Sequence, residues 1–327
     1  MEGFQDSSVR SILETFSFNQ YTQFSPLKRP GLQSMEDLYA VAAHDAKISE
    51  LLLQFLFKPE DGHVRKVVGI MGGHSVARSS TEYADTATLS RQLAKAGYLV
   101  VTGGGPGIME AAHIGAYYAK VDDSSWKTVL EYLGSAKTVA KGAYDRIPED
   151  DLLGTDGKPS AQIESLLPLY HGWHAFACDL KKSYSATPSE SLAISTWEFG
   201  QEPVSPFATA YACYFQNSIR ESTLVREARA GIVFARGGGG TLREIWQDVE
   251  ENYYAKSRDD VTPMIFFDRE AIWGDFGSRG TRPLDVYSTI MSVLANKAPK
   301  LKNFCWEDKI VATTCQFPAL RRHPFPA

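Results

Sequence analysis

The most constraining feature of the chain is a junction that recurs along it: a short apolar run, then glycines, then a segment of helical periodicity. The clearest copy is GIVFA at 231–235, followed at once by Arg236-Gly237-Gly238-Gly239-Gly240-Thr241 and then by Leu242, Ile245, Val249 and Tyr253 at helical spacing. A run of five apolar residues bounded by glycine is too short for a helix and has no polar face, so it reads as a strand covered on both sides, as in parallel sheets flanked by crossover helices. The same order appears at 67–71, followed by Gly72-Gly73-His74-Ser75, and at 98–102, followed by GGGPG. With further strands expected at 192–196 and 263–267, and helices at 82–96, 107–120, 207–230 and 241–254, the fold class is α/β. The expected architecture is a Rossmann-like, doubly wound parallel sheet with helices on both faces. Ligands of such sheets bind outside the carboxyl ends of the strands, so the loops after Met71, Thr102, Thr196 and Ala235 are expected to converge on one crevice.

The alternation begins only near Lys66. Residues 1–62 read as an N-terminal helical extension, with an amphipathic stretch at 9–16, a Pro/Gly loop at 26–31 and a helix at 34–57. Residues 63–327 are expected to form one Rossmann-like domain, interrupted at about 121–190 by an insertion. That insertion carries an Asp/Gly/Pro-rich loop (147–160) and an aromatic cluster (170–176), and is expected over the crevice or at a subunit contact. The 327 residues are 43% hydrophobic, enough for a substantial core, and the net charge of −5 lacks the electrostatic footprint of a duplex nucleic-acid binder. A small-molecule partner is expected, and no nucleic acid. The cysteines at 178, 213, 305 and 315 form no CxxC pair, which suggests neither a zinc knuckle nor a disulfide framework and fits a reducing compartment. The amino terminus has no signal-peptide pattern and no apolar run reaches the roughly 18 residues of a membrane span, so a cytoplasmic location without membrane association is expected.

The chemistry concentrates in the glycine loops. Four consecutive glycines leave no Cβ in a ligand's way, and the free N–H groups and positive dipole end of the following helix favour a phosphate. Gly237, Gly238, Gly239, Gly240 and Thr241 are therefore the candidate phosphate site, with Thr241 either capping the helix or donating its hydroxyl to the anion. Glu244 falls one turn later, on the same side. Gly104, Gly105 and Met109, in the second loop, and Gly73, His74 and Ser75, in the first, are candidates for base and ribose contacts, although a tight βα turn needs glycine for conformational reasons alone. Asn217, Arg220 and Glu221 fall at i, i+3 and i+4 of a helix, where all three can face the crevice or Arg220 can pair with Glu221 on a solvated face. GGGPGI lacks the third glycine of GxGxxG, no acidic residue closes a following strand about 20 residues on, and no GxxxxGK[ST] occurs, which argues against NAD and ATP and for a mononucleotide. His171 and His174 have metal-ligand spacing but no third partner, and Trp173 and Phe176 read as core.

The motifs resemble the LOG superfamily of phosphoribohydrolases, often labelled lysine decarboxylase-like, whose signature is PGGxGTxxE. The match runs from Gly237 to Glu244, with Arg236 in place of the proline, and extends to Arg220, to GGGPGIMEAAHIGA (103–116) and to GGHS followed by Tyr83, covering about 66–267. GGHS and the long additions are closer to the larger pyrimidine/purine nucleotide 5′-monophosphate nucleosidases of that superfamily. The resemblance implies an AMP-like substrate with its phosphate on the glycine loop, and Arg220 and Glu244 as the residues required for cleavage of the N-glycosidic bond to free base and ribose 5-phosphate. No pyridoxal phosphate-binding lysine motif supports a decarboxylase; no cofactor and no metal are expected. Two other readings stay open, a non-catalytic nucleotide sensor and a glycosyl exchange on ribose phosphate. The resemblance also implies a homodimer or higher homo-oligomer, for which the aromatic face Phe207, Tyr211, Tyr214 and Phe215 of the expected helix 207–230 is a candidate contact or, equally, part of the core.

Overall fold

The computed structural model describes residues 34–58, 63–136, 158, 160–199, 204–267, 272–273, 285–297, 301 and 305–313. The amphipathic stretch 9–16, the loop 26–31 and nearly all of the loop 147–160 lie outside the described residues.

A helix α1 (Met35–Leu56) and a small antiparallel pair, β1 (Phe57–Lys58) and β2 (His63–Val64), precede the sheet. Then come β3 (Val67–Met71), α2 (Thr81–Lys95), β4 (Leu99–Thr102), α3 (Ile108–Tyr117), α4 (Asp123–Gly134), α5 (Ala161–Ser183) and β5 (Ser191–Thr196). The second half runs β6 (Ala210–Tyr214), α6 (Asn217–Glu227), β7 (Gly231–Phe234), α7 (Gly239–Tyr253), β8 (Met264–Phe267), α8 (Val286–Lys297) and β9 (Ile310–Thr313). The seven strands β3 to β9 form one sheet in the order β6-β5-β4-β3-β7-β8-β9, and every pairing is parallel. Winding proceeds outward from β3 in one direction and from β7 in the other, so the topological switch point lies between these two strands.

The apolar runs occupy the centre because they are buried on both faces. Along β3, Val67 and Met71 enter one core with Leu52 of α1, Leu224 of α6, Ile245 of α7 and Ile290 of α8. Val68 and Ile70 enter the opposite core with Leu89 and Leu93 of α2 and Ile108 and Ala112 of α3. The strand's period of two thus divides its side chains between two helical layers. The inserted helices α4 and α5 add a third layer, burying Trp126, Val129, Leu133, Ala177 and Leu180 against Tyr83, Ala87, Ala111 and Ile114 of α2 and α3. The described part of the insertion, which was expected over the crevice or at a subunit contact, thus backs the helices that follow the first two loops.

The expected helix 207–230 is two elements. Residues 210–214 form the edge strand β6, paired in parallel with β5 from Leu192↔Ala210 to Thr196↔Tyr214, and the helix starts only at Asn217. Alternating alanines and β-favouring Tyr, Cys and Tyr suit a half-buried edge strand, and pairing with β5 overrides the local helical spacing. The aromatic face is thereby broken up: Phe207 and Tyr214 are fully buried, in different clusters, so they offer no contact surface. Strand β9 was not expected; parallel to β8 in register Met264↔Ile310, it closes the other edge.

Candidate functional site

A cavity of about 690 Å³ opens at the carboxyl ends of the strands, over the switch point, where the loops after β3, β4, β5 and β7 converge. The Gly73 N–H donates to the carbonyl of Arg236 (2.8 Å), tying the β3 loop to the tetraglycine loop across the switch point. The carbonyl of Gly73 in turn accepts from the N–H of Ile108 (3.1 Å), which ties it to the start of α3. Gly107 makes that junction possible: its φ is +69°, and any side chain there would collide with the backbone of Gly73 and His74.

A chain of buried polar groups holds the second loop. The Gly104 N–H donates to the Thr102 hydroxyl (2.9 Å), which lies 2.8 Å from His113 Nε2, and His113 Nδ1 lies 2.9 Å from the Ser191 hydroxyl. Burial pushes the His113 imidazole down to about 3, so the ring is neutral and joins β4 and β5 under the loop as a hydrogen-bonding strut.

The tetraglycine loop leads into α7, which begins at Gly239 with Gly238 as N-cap and no side-chain cap. A Cβ at Gly238, Gly239 or Gly240 would meet no heavy atom within 4 Å, so this backbone faces open space in the cavity wall. Thr241 does not cap the helix. It is buried, with its hydroxyl and Cβ so close to Gly237 that a side chain at 237 would overlap them. Arg236, at the position of the motif's proline, leaves the turn intact, lines the cavity, is 40% exposed and pairs loosely with Glu82 (3.7 Å).

Opposite this loop, Arg220 of α6 and Glu244 of α7 meet, with Nη1 3.5 Å from Glu244 Oε1 and both residues 8% exposed. Asn217 Oδ1 accepts from Arg220 Nε (2.9 Å) and Nη2 (2.6 Å), while its amide nitrogen donates to Glu221 Oε1 (3.0 Å). Glu221 also pairs with Arg220 Nη2 (3.4 Å) and Arg243 Nη1 (2.8 Å). Burial raises the Glu244 carboxyl to about 7; Arg220 pulls it down, Glu221 pushes it up and Arg243 pulls it down, each by less than burial does. The cavity thus contains a carboxyl group that exchanges its proton near neutrality, beside a fixed guanidinium and facing open backbone at a helix start.

Of the residues singled out from sequence, Gly73, His74, Ser75, Gly104, Gly105, Met109, Arg220, Gly237, Gly238, Gly239, Gly240, Thr241 and Glu244 all line this cavity. Asn217 does not; its amide is spent orienting Arg220 and Glu221 behind the wall. Ser195 and Val204 line the cavity and were not foreseen, although a serine and threonine directly after the apolar Leu192-Ala193-Ile194 are the kind of signal that marks where a strand opens on a crevice. Among the described residues no group of three or more His, Cys, Asp or Glu side chains is placed to hold a metal ion. His171 is exposed, and His174 Nδ1 lies 3.6 Å from Cys178 Sγ. No helix among the described residues is long and apolar enough to cross a membrane.

A search among curated proteins finds no match to the chain. Residues 65–121, less than a fifth of the chain, match the family model described as the SLOG cluster4 family, a segment that spans β3 to α3 with the first two glycine loops and stops short of Arg220, the tetraglycine loop and Glu244.

Proposed function

We propose that the protein hydrolyses the N-glycosidic bond of nucleoside 5′-monophosphates, releasing free base and ribose 5-phosphate. The observation that carries this reading is the pairing of Glu244, raised to about 7, with Arg220 in the wall that also presents the uncapped, open-backbone start of α7. The family-model match over the first two loops and the resemblance of the later motifs to phosphoribohydrolases support it.

In this reading the 5′-phosphate lies on the N–H groups of the tetraglycine turn with the Thr241 hydroxyl beside it, and this remote contact fixes the sugar. Cleavage builds positive charge on the ribose as the bond to the base breaks. The Glu244 carboxylate stabilises that charge and takes a proton from the water whose oxygen bonds to the anomeric carbon, while the departing base takes up a proton from solvent and Glu244 then releases its own to solvent, so that one water is consumed in sum. Arg220 holds Glu244 in place and offers its Nη1 edge to the phosphate or the leaving base. The test is incubation with AMP, GMP, CMP, UMP and IMP, with assay of free base and ribose 5-phosphate. Release of both in equal amounts, reduced at least about a hundredfold by Glu244→Gln, is the expected result. Tight nucleotide binding with no base released would replace hydrolysis by a sensor, and full turnover by Glu244→Gln would remove the carboxyl from the mechanism.

A further inference from the structure

Arg220 depends on where α6 begins, and α6 begins without a cap of its own: Gln216, its N-cap residue, makes no side-chain cap hydrogen bond. The turn that leads into it is held instead from α1, some 170 residues earlier. Asp45 is 1% exposed, and its two carboxylate oxygens accept separately from the backbone N–H groups of Phe215 (2.9 Å, Oδ1) and Gln216 (3.0 Å, Oδ2). The contact is part of a built junction. His44 lies 3.0 Å from Asp45 Oδ1, and its ring packs against Phe215 (4.7 Å) and Trp197 (5.0 Å), the residue that follows Thr196 in the cavity wall. The Ser49 hydroxyl, one turn on, lies 3.3 Å from the Tyr214 hydroxyl. A buried carboxylate is costly unless hydrogen-bonded. Here both oxygens are spent at the positive end of the helix that carries Arg220.

We propose that Asp45 is a positioning residue: by fixing the turn 215–216 it sets the depth and rotation of α6 and so places the Arg220 guanidinium against Glu244, making the N-terminal helix a working part of the site. The inference builds on the assignment of Arg220 to the reaction, but its structural half stands without any turnover.

The experiment uses the full chain as wild type, Asp45→Ala, Asp45→Asn, Arg220→Lys and the Asp45→Ala/Arg220→Lys pair. Backbone hydrogen exchange over 215–224 is read first. Faster exchange there in Asp45→Ala, with an intermediate effect in Asp45→Asn, which keeps one acceptor oxygen, is the expected result. Turnover of AMP is then expected to fall by about tenfold to a hundredfold in kcat with a small change in KM, as for a misplaced catalytic group. Asp45→Ala is expected to add little to the loss already caused by Arg220→Lys, because both act through one guanidinium. Losses that multiply in the double variant, or unchanged exchange over 215–224 in both Asp45 variants, would overturn the proposal. If Asp45→Ala does not fold, the Asn variant carries the same readouts. If the wild-type protein releases no base, the proposed hydrolysis fails on its own, and Asp45 is then judged by exchange and by whether the double variant's loss of AMP affinity in calorimetry exceeds that of Arg220→Lys.

Discussion

Replacing Glu244 with glutamine should make the folded protein more resistant to urea at pH 8 than the wild type, relative to the same comparison at pH 5. The carboxyl's folded value is about 7 against an ordinary 4.5, because burial outweighs the attraction of Arg220. The folded state therefore holds this proton more tightly than the unfolded chain does. Its contribution is most favourable below the unfolded value and is lost as pH rises from about 4.5 towards 7. Each unit is worth about 1.4 kcal/mol, so the full difference is on the order of 3 kcal/mol, and the part falling between pH 5 and pH 8 is about 2.5 kcal/mol. Glutamine keeps the shape and one acceptor for Arg220 but carries no titrating proton, while the other ionisable groups are common to both proteins and cancel in the difference to first order. Urea unfolding followed by fluorescence at pH 5, 6, 7 and 8, with m-values checked for constancy, gives the comparison directly. The stability gap, variant minus wild type, should climb by about 2 to 3 kcal/mol across that range. A gap that is flat with pH, or that shrinks as pH rises, would mean that the carboxyl is ionised in the folded protein at ordinary cost, and the argument for a group exchanging its proton near neutrality would collapse.

Two further outcomes test the loops and the strut beneath them. Gly237→Ala should weaken nucleotide binding and lower stability, since the new methyl overlaps Thr241, whereas Gly239→Ala should fold at least as well as wild type, having nothing within 4 Å, and still bind nucleotide more weakly because the methyl occupies the ligand's space; calorimetry and urea melts on both separate the cases, and equal binding by Gly239→Ala and wild type would place the anion elsewhere. His113 behaves oppositely to Glu244: its folded value of about 3 lies below the ordinary 6.5, so its neutral form stabilises the fold above pH 6.5 and that contribution drains away as pH falls. Relative to His113→Gln, the wild type should lose about 2 kcal/mol between pH 7 and pH 5, and a gap independent of pH would show that the imidazole accepts a proton without cost.

Much of the centre of this molecule was legible because its physics is local. A five-residue apolar run followed by glycine and a helical stripe, as at 231–253, has essentially one solution in a parallel sheet, and the strands at 67–71 and 192–196 fall within a residue of where pattern alone put them. The edges were less legible. Residues 210–214 and 310–313 are strands because β5 and β8 stand beside them, and an edge strand takes part of its identity from its neighbour. Reading 207–230 as one helix still placed Asn217, Arg220 and Glu221 at the right spacing, because that stretch is helical even though its amino-terminal half is not.

By itself, then, the order of residues determined the kind of sheet, the loops that would gather at one end of it, and the glycine, arginine and glutamate positions that would line their crevice, since each follows from side-chain period or from the absence of a Cβ. Tertiary structure alone decided that Glu244 holds its proton to about 7 and that Asp45 of the extension reaches the start of α6. Those properties depend on burial and on which distant groups are brought within three ångströms, and neither quantity is written in any local stretch of chain.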